Sequence, residues 1–436
     1  MAQTVEMASK SAPPGAASSS SRTPETDRPA HARFTFRVEN YLHIAAVYGR
    51  VVADTLLDEV GQLLAASLGE NGIIRADRLA GGFTISNAYR CSAHHVGQQL
   101  AHDLKAFCTA TTSRAFRCAG HRLHPILSWS RLSLDGELFS MPTEQLGFGG
   151  DAVRHEGDWV ARYRRDMELA AGLLADIAED RLFLQWQPIA PAGGDFGALF
   201  HEAIPCRMNA RDGSASPLHE VEAAERVGLV RIFDRWSVSQ AMRRLDAGAF
   251  PQLGVCISAQ SAVVDGWWTD ILAHLRRYPD QAQRLTLVIS GATPFPSIND
   301  ALKFVRQLRT LGCRIALDGF GVGFSSLRHL LALSPDMVRI DGLFVHWAEQ
   351  SARDASMLHH AVQLAGATGA TVVVNGIATK RQHALAIEAG ARWLQGEFVG
   401  RSGLGFSRFS QARHHPQAAA SEHHHHPEPS YRSASL

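Results

Sequence analysis

Residues 33–142 change hydrophobic period several times. Phe34-Thr35-Phe36-Arg37-Val38 alternates at period two, as a half-buried strand does, and from Tyr41 to Leu68 the apolar residues return at helical spacing. Two further alternating runs, IIRADRL from Ile73 and FTISNAY from Phe83, are joined by Ala80-Gly81-Gly82, a hairpin turn signal. A helix over Val96–Ala110 and a strand within HPILSWSRLS, from His124, complete a small α+β unit.

A charged helix is expected from Asp158 to Asp180, and a different rhythm follows it. Short apolar runs of strand length alternate with amphipathic helical segments: LFLQWQP, ALFHEAI, LGVCIS, RLTLVIS, RIALDGF, MVRID, TVVVNGI and WLQGEF. About eight strands in some 220 residues is the beat of a (β/α)8 barrel. Polar residues stand at the strand ends: Gln187, Glu202, Ser258, Ser290, Asp318, Asp341, Asn375 and Gln395. Such barrels build their site at the C-terminal ends of the strands, so all eight side chains are expected to meet at one mouth.

At 436 residues the chain exceeds one ordinary core. The patterns divide it into a tail (1–32), the α+β unit (33–142), a linker and coupling helix (143–180), the barrel (181–408) and a second tail (409–436). Both tails are poor in large apolar residues and are expected to be disordered; His423–His426 in the second reads as flexible tail or purification remnant. With 43 basic against 42 acidic residues, net field argues for neither a nucleic acid nor an acidic membrane. No apolar run reaches spanning length and no signal peptide is evident, so a soluble, cytoplasmic chain is expected. Six scattered cysteines without a CxxC pair read as reduced core thiols. Cys91 with His94 and His95 is half a zinc site without its second ligand pair.

Six stretches, in order, carry a resemblance. WQPIA, HEAI, LDGFGVGFSSLRHL, RID, VNGIAT and LQGEFVGRS resemble the successive motifs of the EAL domain of cyclic-di-GMP phosphodiesterases, over about residues 158–403. More weakly, YGRVVAD and RLAGGF make residues 33–142 similar to a GGDEF domain. The resemblance implies an α/β fold: an EAL-type (β/α)8 TIM-like barrel preceded by a smaller α+β, GGDEF-like (nucleotide-cyclase-like) domain.

The same resemblance implies chemistry that needs two divalent cations, Mg2+ or Mn2+, about 3.5 to 4 Å apart to activate water and neutralise the phosphate. Glu202, Asp318 and Asp341 keep carboxylates of that set. Cys256 stands at the asparagine ligand, Val288 and Gly291 at Glu positions of the next motif, and Gly319 at the second aspartate. Asn375 and Ala378 replace the two late glutamates, and Arg339 replaces the lysine that assists the water. Arginine stays protonated and cannot exchange roles as lysine does. Neither a metal pair nor any other cofactor is therefore expected, and the chain is not expected to be an enzyme. In the GGDEF-like unit, Arg37, Ala45 and Ala46 replace functional acids and amides, and the hairpin turn holds no acid, so dinucleotide synthesis is excluded on the same grounds.

With catalysis removed, a signalling regulator in cyclic-di-GMP-related pathways is expected, acting on an unidentified regulatory protein. The alternative is a non-hydrolytic receptor that holds cyclic-di-GMP through Gln187, Glu202, Asp318, Arg339, Asp341 and Gln395. Against the receptor stands a shift of one residue: Cys206 occupies the place of the family's phosphate-clamping arginine, and Arg207 follows on the other face of the strand. Asp318 has two roles open to it, contact with a ligand, or capping a helix or pairing with Arg339. A homodimer is also left open.

Overall fold

The structure, a computed structural model, describes residues 30–68, 73–79, 81–89, 93–132, 138–139, 157–193, 197–208, 215–248 and 250–404. Most of both expected tails, with His423–His426, the linker stretch 143–156 and Cys91 lie outside the described residues, as do the side chains of His94 and His95.

The first unit is a five-stranded sheet ordered β2-β3-β1-β6-β7, formed by β1 (Ala30–Val38), β2 (Ile73–Leu79), β3 (Gly82–Tyr89), β6 (Leu127–Leu132) and β7 (Leu138–Phe139). A separate ribbon pairs β4 (Phe116–Cys118) with β5 (His121–Leu123). β1 is central and antiparallel to both β3 and β6. It starts at Ala30, ahead of the boundary expected at residue 33. The helix expected from Tyr41 to Leu68 is two helices, α1 (Tyr41–Tyr48) and α2 (Arg50–Leu68), because Gly49 takes φ 94°, a conformation that helical residues cannot adopt. With α3 (Ala93–Thr112) they supply the apolar stripes that cover Phe34 and Phe36 of β1.

The second unit is a closed eight-stranded barrel. β8 (Leu182–Pro191), β9 (Phe200–Met208), β11 (Leu253–Ser258), β12 (Leu285–Ser290), β13 (Arg314–Phe320), β14 (Met337–Ile340), β15 (Thr371–Val374) and β16 (Trp393–Leu394) form it, and β10 (Ala215–Pro217) adds to β9 outside the ring. Seven strands run parallel; β8 is antiparallel to both β9 and β16. The expected EAL-type (β/α)8 TIM-like barrel is what the chain forms, with β8 reversed because the chain between Pro191 and Phe200 is too short for the helical crossover a parallel pair requires. Period two along each strand sets two layers inside the ring. Ile189, Phe200, Val288, Ala316, Met337 and Val373 make an apolar floor, and the residues two positions nearer the mouth are polar on most strands.

The segment read as a coupling helix is part of a core. α4 (Gly157–Ala178) buries Tyr163, Met167, Ala170, Leu173 and Leu174 in one cluster with the first unit and with Ala224 of α5 (Glu220–Arg226), Val230 and Phe233 of α6 (Val230–Asp246) and Val227 of the turn between them. Arg226 fastens the joint with two hydrogen bonds to Asp166, at 2.8 and 2.9 Å. Among the described residues no helix is long and apolar enough to cross a membrane.

Candidate functional site

Strand parity decides which side chains enter the mouth. On β14, Met337 belongs to the floor, so Arg339 also points inward, and it is only 3% exposed. Glu202 follows Phe200 on β9, Asp318 follows Ala316 on β13, and Gln395 follows Trp393 after β16. The Arg339 guanidinium donates through Nη1 to Glu202 Oε1 at 2.5 Å, and its Nε lies 3.2 Å from Asp318 Oδ1. Glu202 Oε2 accepts from Gln395 Nε2 at 2.6 Å, and that amide also reaches Gln187 Oε1 at 3.2 Å. Gln187, facing Glu202 across the antiparallel β8–β9 pair, donates to Gly400 O at 3.2 Å. One guanidinium thus stands between two carboxylates, and two amides extend the chain.

Burial penalises every charge in this layer. It pushes the Arg339 guanidinium down, but Asp318 and Glu202 outweigh it and hold the group above its ordinary value. Burial also raises Asp318, with Arg339 opposing, and Asp318 Oδ1 accepts from Gly319 N at 2.9 Å. Cys256, beside the floor, is raised well above the usual thiol value, first by burial and then by Asp318 and Glu202. It is therefore a neutral thiol and a poor ligand for a hard cation.

The remaining strand-end residues do not join this group. Asp341 caps the helix Gly342–Ala348, accepting from Leu343 N at 2.9 Å. Asn375 Oδ1 accepts from Gly376 N at 2.7 Å, and Ser290 Oγ from Ala292 N at 3.2 Å. Ser258 Oγ lies 3.2 Å from Thr293 Oγ1. The eight do not form one hydrogen-bonded group: a polar residue at a strand end is also where a cap is needed, and short side chains satisfy the adjacent backbone first.

Two further readings can be placed. Arg207 points away from the mouth and bonds Asp176 of α4 at 2.5 Å and Glu220 of α5 at 2.7 Å, so it ties the barrel to the joint. Cys206, on the inward face, lies 3.6 Å from Gln185 Oε1. The loop glycines after Asp318 have a packing role: a Cβ on Gly321 (φ 92°) would lie 2.5 Å from the Phe344 ring. Sequence reasoning missed a buried acid pair, Glu225 and Asp234. Asp234 accepts from Ser258 N at 2.9 Å and Ser261 Oγ at 2.6 Å, and its one visible signal is an acid inside the apolar stretch IFDRW.

Two cations need a ring of oxygen ligands. Arg339 holds the position between Glu202 and Asp318 with its own positive charge, while Cys256, Val288 and Gly319 offer no oxygen side chain. Among the described residues no group of three or more His, Cys, Asp or Glu is arranged to hold an ion. The residues do not fit the pair.

A closed barrel with one reversed strand and a polar mouth over an apolar floor defines an α/β-barrel domain. Residues 170–402 match the EAL domain, and the chain belongs to that family. It is 26% identical over 253 residues to the bifunctional diguanylate cyclase/cyclic di-GMP phosphodiesterase MucR of Pseudomonas aeruginosa, covering 56% of this chain and 36% of MucR. It is 23% identical over 369 residues to the cyclic di-GMP phosphodiesterase PdeB of Shewanella oneidensis, covering 81% of this chain and 42% of PdeB. A structure of the P. aeruginosa MucR phosphodiesterase in complex with c-di-GMP superposes with a TM-score of 0.47 at 25% identity, over 54% of this chain and 97% of that one. The chain spans well under half the length of MucR, and 42% of PdeB.

Proposed function

We propose that this chain is a non-hydrolytic regulator in cyclic-di-GMP signalling, which acts by docking to another protein and whose first unit is a degenerate GGDEF-like domain. The observation that carries this reading is the Arg339 bridge: a protonated, buried guanidinium neutralises Glu202 and Asp318 where the phosphodiesterase chemistry of the family calls for cations. Cys256, Val288 and Gly319 supply no oxygen ligand to help restore them. The YGRVVAD and RLAGGF stretches support the GGDEF-like reading, while Arg37, Ala45 and Ala46 argue against synthesis.

A second reading, a receptor that binds cyclic-di-GMP without cutting it, draws support from the Gln187–Gln395–Glu202 chain that still faces the mouth. Calorimetry of the whole chain with cyclic-di-GMP, with and without Mg2+ or Mn2+, separates the readings when combined with chromatography for the linear product. Silence at ligand concentrations well above micromolar, with no product, is the expected result. Saturable heat without product selects the receptor, and metal-dependent product overturns both.

A further inference from the structure

Two neighbouring helices of the barrel end in the same way. α6 carries Arg243 and Arg244 in its last turn, and α7 (Thr269–Arg277) carries Arg276 and Arg277. α6 leads into β11, and α7 leads through α8 (Pro279–Arg284) into β12, so both ends lie at the N-terminal ends of the strands, across the barrel from the mouth. The helix ends are fastened to one another: Gln281 Nε2 donates to Asp246 Oδ1 at 3.0 Å, and Gln281 Oε1 lies 2.9 Å from His274 Nε2. A hollow of about 350 Å³ opens between them, with Leu245, Tyr278 and Pro279 in its wall. Tyr278 is 40% exposed, and the Arg277 guanidinium stands 5.7 Å from its ring centre.

The charges around this hollow are of two kinds. Its acids are engaged: Asp246 accepts from Gln281, and Asp280 accepts from Arg284 at 3.0 Å. Arg284 is held in turn by the Phe250 and Pro251 carbonyls. Arg243, Arg244, Arg276 and Arg277 are exposed, and none of them meets a carboxylate among the described residues. A helix dipole favours a cation in the last turn, which accounts for an arginine at each end taken singly. It leaves the guanidinium groups unpaired, and four of them on adjoining ends make a local positive field in a chain whose net charge is +1.

We propose, on the reading that the chain acts by docking, that this face takes an acidic peptide segment of the partner protein, with carboxylates on either side of an apolar side chain. The carboxylates answer the two arginine pairs, since a guanidinium accepts a carboxylate through two parallel N–H bonds. The apolar side chain enters the hollow against Leu245, Tyr278 and Pro279. Asp246 and Asp280 decide against a nucleic acid or an anionic membrane. Either would press unbroken negative charge onto two carboxylates already on this face, whereas a peptide spaces its acids.

The probe is a fluorescein-labelled peptide with a Glu-Glu pair on each side of a central leucine, set against the same peptide with Gln-Gln pairs. In fluorescence anisotropy with the full chain, the acidic peptide should bind saturably, with a Kd of about 1 mM or tighter, and should weaken as salt rises. It should bind about tenfold or more tightly than the glutamine peptide, and Arg243→Glu with Arg276→Glu should weaken it by a similar factor. Arg353→Glu with Lys380→Glu makes the same charge change at exposed positions on the far side of the barrel. That pair should stay within about twofold of wild type, because screening removes charges beyond a Debye length. Circular dichroism confirms that both double variants fold. No saturable binding at millimolar peptide, equal binding of the two peptides, or equal loss in the two double variants overturns the proposal, and so does tighter binding of oligothymidylate or of phosphatidylserine vesicles. Any of these strikes this face alone, whereas heat or product with cyclic-di-GMP, measured on the same wild-type chain, strikes the docking reading itself.

Discussion

Arg339 inverts the logic of the mouth it sits in. A lysine could share or release its proton, but the guanidinium keeps its charge, and the two carboxylates hold it there. Its removal is informative because the partners remain. Arg339→Met should leave the buried Glu202 and the partly buried Asp318 without compensation, which typically costs about 3 to 5 kcal/mol. The loss should shrink as pH falls, because protonation relieves Asp318, whose carboxyl burial already raises, and Glu202→Gln on the same background should recover part of it. Urea titrations at several pH values measure this. A variant as stable as wild type at neutral pH would mean that the bridge contributes little and that the mouth tolerates two bare carboxylates, which would reopen the metal question. Glu202, Asp318 and Gln395 could be found from sequence because each stands in a motif of fixed spacing. The bridge itself could only be posed there as one of two roles for Asp318, since which of several acids an arginine chooses depends on strand parity and ring closure.

At the level of elements, α6 carries an acid where its stripe is apolar. Asp234 is 2% exposed, and its carboxyl is pushed from the ordinary 3.8 up to about 7, by burial first, with the Ser261 and Ser258 hydrogen bonds opposing and Glu225 adding to the rise. A raised acid binds its proton more tightly folded than unfolded. Its contribution is therefore favourable at low pH and is lost as pH rises from about 4 to about 7, above which the folded state carries the buried charge. Asp234→Asn mimics the protonated form and still accepts both hydrogen bonds. The variant should gain on wild type steadily across that range in thermal unfolding, and parallel curves for the two proteins would rule the assignment out. Glu225, also raised by burial, contributes with the same sign. The alternation of strands and helices from Leu253 onward was legible because each period-two run is bounded by a break in pattern. The reversal of β8 was not, since LFLQWQP alternates identically whichever way its neighbours run. Nor was the break at Gly49, where a helical stripe continues across a residue that leaves the helix.

For the whole molecule, the decisive feature is a core that ignores the domain boundary. A sequence pattern shows that α4 has an apolar face but not what covers it, and so α4 reads as a coupling helix that sets the relative position of two domains. In the structure Leu173 is fully buried in a cluster that holds Phe36 and Leu56 of the first unit together with Val230 and Phe233 of α6. Asp176 and Asp166, on the same helix, are bound by Arg207 and Arg226 from the barrel side. A chain built this way presents one continuous surface, and neither unit can lose its fold without exposing part of the core of the other. Leu173→Ala tests that claim. Truncating a buried leucine costs about 2 to 5 kcal/mol, transfer and cavity terms together. If the core is shared, wild type should unfold in one calorimetric transition, and the variant should move that transition down as a whole. Two resolved transitions, of which only one shifts, would show that the units are stable apart and that α4 belongs to one of them.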